Sequence, residues 1–218
     1  MSNAHTLKIN EIFYSIQGES TFAGKPCIFI RLSGCDLRCS YCDTQYAYDD
    51  GKRLSLKEIR DKASAYQCNL VEITGGEPLL QKNVHPLMRQ LCDEGYELLL
   101  ETGGHRDIGD VDERVHIIMD IKCPTSGEAH KNRWENISFL SEKDEVKFVV
   151  GNREDYRYAL SIIKQYKLNE ICTILFSPVY GVMDNKALSE LILGDSLYNV
   201  QMQLQMHKYI WPADKRGV

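Results

Sequence analysis

Seven apolar runs of strand length recur along the chain: "CIFIRL", "LVEIT", "YELLLET", "VHIIMDI", "EVKFVV", "ICTILF" and "VQMQLQM". Several are nearly continuous rather than alternating, the pattern of strands covered on both faces. Helical patterns lie between some of them. "SLKEIRDKASAY" begins at Ser55, an N-cap residue with Glu58 three positions on, which is a capping-box signature. "PLLQKNVHPLMRQLCDEG" carries Leu79, Leu80, Val84, Leu87, Met88 and Leu91 at helical spacing and stops at Gly95. "REDYRYALSIIKQYK" reads as an amphipathic helix. Strand–helix alternation predicts right-handed crossovers and a mainly parallel sheet. The segment from Ile108 to Arg114 and the stretch "SGEAHKNRWENISFL" are short for full crossover helices. The expected α/β fold is therefore an incomplete, shortened barrel of the TIM type. No low-complexity tract, charge block or proline-rich linker divides the chain, so residues 1–218 are expected to form one domain.

Polar and glycine-rich signatures fall just after the strands: a cysteine loop, "TGGEP", "ETGG", "DIK", "VVGN" and "SPVYG". In barrel-like parallel sheets the C-terminal strand ends form the active face, so this convergence points to an enzyme. A net charge of −5 with scattered basic residues argues against a nucleic-acid partner. No apolar run approaches the roughly 18 residues of a membrane span. The N-terminus lacks the features of a secretory signal, and its Met1-Ser2-Asn3-Ala4 reads as an expression remnant. Eight cysteines without an export signal predict reduced thiols and a cytoplasmic protein.

Three of those cysteines share one loop. In "RLSGCDLRCSYCDTQY", Cys35, Cys39 and Cys42 are spaced C-x3-C-x2-C. A structural zinc site wants four ligands, commonly from two C-x2-C pairs, and only one such pair exists. Zinc stays open as an alternative if His105 or Cys68 is recruited from a distance. A thiol nucleophile with a histidine base needs one cysteine, not three. Three thiolates suit a 4Fe–4S cubane with one iron left free for a small ligand. Cys27 and Cys172 sit in apolar runs and read as core; Cys123 follows a strand end.

The motif, with Tyr41 before its last cysteine, resembles the radical S-adenosylmethionine superfamily. "TGGEP" (Thr74 to Pro78) is similar to that superfamily's motif for the cosubstrate's amino group. Paired glycines permit close backbone approach, and Glu77 offers an anion to an ammonium. The plainer reading of "GGEP" alone is a turn before a helix, with Pro78 at a first helical position. "INEIFYSIQGESTFAGKPCIFIRLSGC", "CDT" and "LQMHKYIW" resemble one branch, the 7-carboxy-7-deazaguanine synthases, over about Ile9 to Trp211.

The resemblance implies a carbon–nitrogen lyase of queuosine and 7-deazapurine biosynthesis. Its substrate would be 6-carboxy-5,6,7,8-tetrahydropterin, contracted by radical chemistry with loss of ammonia. It also implies S-adenosyl-L-methionine, a cluster on Cys35, Cys39 and Cys42, Mg2+ held by Thr44, a homodimer, and reduced flavodoxin or ferredoxin as electron donor. By the same resemblance, Ile16, Gln17, Gly18, Arg31, Thr74 and His207 face the substrate. Tyr41, Asp43, Gly76, Glu77, Asp120, Ile121, Lys122 and Phe176, Ser177, Pro178, Val179 line the cosubstrate site. "DIK" departs from the Ser-Pro-Lys of many relatives, and "WPADKRGV" runs past the point where some end; neither Pro212 nor Val218 is given a role. Two other readings stand beside it: an activating enzyme for a glycyl-radical protein, and a non-enzymatic metal or Fe–S binding protein.

Overall fold

A computed structural model describes residues 5–218; the presumed remnant, Met1 to Ala4, lies outside the described residues. Nine strands form one open sheet: β1 (Thr6–Ile16), β2 (Pro26–Leu32), β3 (Lys52–Ser55), β4 (Leu70–Gly75), β5 (Glu97–Thr102), β6 (His116–Ile121), β7 (Glu145–Val150), β8 (Thr173–Pro178) and β9 (Val200–Met202). Their order is β3-β1-β2-β4-β5-β6-β7-β8-β9. From β2 through β9 every neighbouring pair is parallel, whereas β1 runs antiparallel to both β2 and β3. The sheet does not close, as expected for a partial barrel. The β5–β6 connection holds no helix and the β6–β7 connection only short 3-10 turns. β1 and β3 were not among the apolar runs read as strands, and the last run shrinks to Val200–Met202.

Helices α1 (Leu56–Ala63), α2 (Val84–Asp93), α3 (Arg153–Tyr166) and α4 (Asn185–Gly194) follow β3, β4, β7 and β8, and a one-turn α5 (His207–Ile210) follows β9. The Ser55 Oγ accepts the Glu58 N–H and the Glu58 carboxylate answers the Ser55 N–H, the expected capping box. The helix expected from Pro78 is instead a 3-10 turn (Pro78–Leu80) followed by α2. Gln81 interrupts it because its side chain bridges the backbone of Lys8 and Ser33.

Alternation along each parallel strand divides the interior in two. Val71, Ile73, Leu98, Leu100, Ile117, Met119, Ile121, Val146, Phe148, Ile174 and Phe176 join the large core under the helices. The opposite face carries a small plug of Phe13, Cys27, Phe29, Leu70, Leu99 and Ile118. Above the plug that face turns polar, with Arg31, Glu72, Thr74, Glu101, Asp120 and Lys147. The expected cover on both faces thus holds, but one cover is a side-chain-lined chamber.

Candidate active site

The chamber has a volume of about 1090 Å3 and runs from the plug to the loops at the C-terminal strand ends. Cys35, Cys39 and Cys42 line its rim as free, partly exposed thiols. Their loop is fixed from outside: Ser40 N–H donates to the Ser126 carbonyl, Arg38 N–H to the Glu128 carboxylate, and the Arg38 guanidinium to the Cys35 carbonyl. Burial raises the Cys35 thiol, and raises Cys39 to about 11 against the opposing pull of Lys122. Loading iron here therefore displaces protons.

"TGGEP" abuts this loop. Gly75 has φ +145°, and a Cβ on it would strike the backbone of Leu32. A Cβ on Gly76 would strike the Gly34 carbonyl and the Cys35 side chain. The two glycines are needed for loop-on-loop contact, a tighter demand than approach to a ligand alone. Glu77 is fully buried, and its carboxylate accepts from Leu79 N–H, Gly103 N–H and the Thr102 hydroxyl. The residue expected to meet an ammonium is here the brace between "TGGEP" and "ETGG".

Across the rim, Asp120 and Lys122 pair at 2.8 Å. The buried Asp120 Oδ1 and Tyr41 hydroxyl have no hydrogen-bond partner among the described residues. Ile121, Phe176, Ser177 and Pro178 do not line the chamber; only Val179 of that segment does. The correction follows from strand parity, which turns Ile121 and Phe176 into the outer core, while Asp120 and Lys122 on either side of Ile121 face in. Val149, Gly151 and Asn152, from the unassigned "VVGN" loop, line the wall in their stead.

Deeper in, Arg31 Nε bonds Glu11 Oε1 at 2.8 Å, and the Tyr46 hydroxyl bonds the same oxygen at 3.1 Å. The Thr74 hydroxyl donates to Glu101 Oε2 at 3.1 Å. Lys147 Nζ is held by Glu19 Oε2 at 2.8 Å and by Glu101 Oε1. Burial opposes the Lys147 charge, yet the two carboxylates raise its pKa well above the ordinary value. Gln17, Gly18 and His207 line the same space, with Ile16 beside them. Gln17 comes from the turn after β1 rather than from a C-terminal end of the parallel strands. Because β1 is antiparallel, Ile16 pairs with Pro26 at the start of β2, and Gln17 enters beside it.

His207 opens α5 rather than ending a strand, and its ring packs on Gly18. Lys208 next to it reaches Asp43 Oδ2 at 2.5 Å. Burial alone would raise Asp43, but Lys208 and the Thr44 hydroxyl draw it down to about 2. The tail, Ala213 to Val218, also lines the chamber, with the Arg216 guanidinium 3.9 Å over the Tyr46 ring. Sequence reasoning missed Glu19, Glu72, Glu101, Lys147 and this tail. Lone charges inside apolar strand runs were the available signal for three of them.

Residues 29–192 match the Radical SAM superfamily. The chain belongs to that superfamily. It is 47% identical, over all of both chains, to the 7-carboxy-7-deazaguanine synthase of Chlorobaculum tepidum. It is 40% identical to that of Koribacter versatilis, over 97% of this chain and 100% of that protein. Within the superfamily it belongs to the 7-carboxy-7-deazaguanine synthase family. The crystal structure of QueE from Escherichia coli shares the fold, with a TM-score of 0.75 at 22% identity over 91% of this chain and 94% of that one.

Radical SAM enzymes use a 4Fe–4S cluster and S-adenosylmethionine. The donor set here fits: three free thiols on one rim loop, glycines that seat it, and unpartnered buried oxygens of Tyr41 and Asp120 beside it. Among the described residues no three His, Cys, Asp or Glu side chains gather as for a single ion. The two residues weighed as a fourth zinc ligand make contacts of their own. His105 Nε2 is bound to Asp36 at 2.7 Å, and Cys68 lies at the opposite end of β4 against the Pro26 carbonyl.

Proposed function

We propose that this chain converts 6-carboxy-5,6,7,8-tetrahydropterin to 7-carboxy-7-deazaguanine and ammonia, a carbon–nitrogen lyase reaction on the way to queuosine and other 7-deazapurines. The observation that carries it is one chamber joining the cysteine loop to Gln17, Arg31, Thr74 and His207, in a chain with full-length relatives of that name. When bound, the cluster and S-adenosylmethionine supply one-electron cleavage of the sulfonium and hydrogen-atom abstraction. Cys35, Cys39 and Cys42 hold the cluster. Tyr41, Asp43, Gly76, Asp120, Lys122 and Val179 seat the cosubstrate. The planar Arg31 guanidinium takes the substrate carboxylate, while Ile16, Gln17, Gly18, Thr74 and His207 position the ring and exclude water.

Thr44 contributes an oxygen to Mg2+, which pins the substrate rather than polarising it for hydrolysis. Thr44→Val is expected to abolish stimulation of turnover by Mg2+ while leaving iron content unchanged. Turnover that persists undiminished after exhaustive chelation removes the metal role.

We further take residues 1–218 as one domain of a cytoplasmic homodimer that receives electrons from flavodoxin or ferredoxin. Exposed Leu193, Tyr198, Tyr209 and Ile210 near β9 supply apolar surface for a second copy. Among the described residues no helix is long and apolar enough to cross a membrane. The test of the activity is anaerobic turnover of 6-carboxytetrahydropterin, with mass detection of the ring-contracted acid. Arg31→Ala should lower kcat/KM by on the order of 2 kcal/mol or more, as a lost charged contact does. Cluster content and slow uncoupled 5′-deoxyadenosine formation should survive. Absence of the acid, with a glycyl radical appearing on a partner protein, would turn the assignment to the activating-enzyme class.

A further inference from the structure

Three carboxylates, Glu19, Glu72 and Glu101, face the chamber around a single ammonium, that of Lys147. Lys147 bonds Glu19 and Glu101 and not Glu72. Of the other cations lining the chamber, Arg31 gives its Nε to Glu11 and Lys122 pairs with Asp120. Glu72 is 3% exposed, and its one side-chain partner among the described residues is an amide: Gln17 Nε2 donates to Glu72 Oε2. The amide cannot turn to accept instead, because Gln17 Oε1 already accepts the Glu19 N–H at 3.0 Å. A third charge without a counter-ion in so buried a place is costly, and a carboxyl in that position keeps its proton.

We propose that Glu72 is a neutral carboxylic acid and the proton donor to the nitrogen that leaves the substrate ring. This rests on the activity proposed above. Substrate and product differ by one ammonia, so no external oxidant or reductant enters the balance. As the carbon–nitrogen bond breaks, the nitrogen keeps the electron pair and takes the Glu72 proton. The resulting carboxylate recovers a proton when ring carbon loses one on aromatisation. Glu72 is placed for this: it lies one step below Thr74 on the same face of β4 and touches Gln17. The groups facing it are Glu101 from β5, Glu19 from the β1–β2 loop, Lys147 from β7, and Arg31 and Cys27 from β2. Burial first, then repulsion from Glu101 and Glu19, raises its pKa well above the ordinary value, with Lys147 and Arg31 opposing.

The test compares wild type with Glu72→Gln, which keeps size and shape. Infrared difference spectra of the loaded proteins at pH 7 should show a carboxylic-acid carbonyl band in wild type that is missing from the variant. In single turnover the variant should release ammonia and ring-contracted acid on the order of a hundredfold more slowly or worse. Its 5′-deoxyadenosine formation and its affinity for 7-carboxy-7-deazaguanine should stay near wild type. A raised folded pKa also means that the native state binds more protons than the unfolded chain. Wild-type stability relative to the variant should therefore fall as pH rises from about 4.3, the unfolded glutamate value. No missing band, or ammonia release at the wild-type rate, overturns the donor role. Wild type that makes no ring-contracted acid overturns the activity itself, a result distinct from two equally active proteins.

Discussion

Cys39→Ala, reconstituted with iron and sulfide without oxygen, is expected to hold no cubane, whereas wild type holds about four irons per chain. The three thiols come from one short loop whose backbone is fixed by Ser126, Glu128 and Arg38, so no other cysteine can move in to replace a lost one. Cys27 is closed inside the plug below the chamber and Cys123 inside the outer core. Cys27→Ala and Cys172→Ala should accordingly retain full iron and alter stability at most. Iron content and the visible absorption of the cluster decide the matter. A normal cluster in Cys39→Ala would remove the loop from its assigned role.

The second large effect is on stability. Lys147→Met should lower the free energy of unfolding at pH 7 by about 3–5 kcal/mol, the cost of stranding buried charge, against a typical total of about 5–15 kcal/mol. Lys147 is 3% exposed and joins Glu19, near the end of β1, to Glu101 on β5. Burial would raise Glu19, but Lys147 and His207 hold its pKa below the ordinary carboxylate value. Its contribution is thus present above the unfolded pKa and lost as pH falls through the folded one. The gap between wild type and Lys147→Met should narrow only below about pH 4.3, the unfolded glutamate value, and urea titrations at pH 7 and about pH 3.5 would measure it. An unchanged gap would mean that the ammonium is not what holds these carboxylates.

That pin shows what a sequence conceals. Glu19 and Lys147 are 128 residues apart, and nothing local to "QGES" or "EVKFVV" links them. The cysteine loop, the Ser55 capping box and the helix stop before Gly95 were legible because each is a short-range device whose chemistry lies within a few residues. Strands β2 and β4 to β8 were legible as apolar runs, but their facing was not. Carrying "DIK" and "FSPV" over as blocks ignored the two-residue period that sends Ile121 and Phe176 outward. β1 escaped notice because polar residues interrupt "KINEIFYS", and its antiparallel course brings Gln17 in from the β1–β2 turn beside Pro26 rather than from a C-terminal end of the parallel strands. "VQMQLQM" alternates like a strand, yet pairing with β8 stops at Met202 and the chain turns back so that His207 packs on Gly18.

The two-sided strands bear on how such a chain can change over generations. Point substitutions can alter the chamber wall while the helix-covered core stays as it is, since neighbouring positions answer to different demands. A single-residue insertion within β4 has no such freedom. It would swing Glu72 and Thr74 into the space of Val71 and Ile73 and send those apolar side chains into the chamber. Length variation among descendants should therefore collect in connections such as Gly103 to Val115, and the strands should keep their lengths.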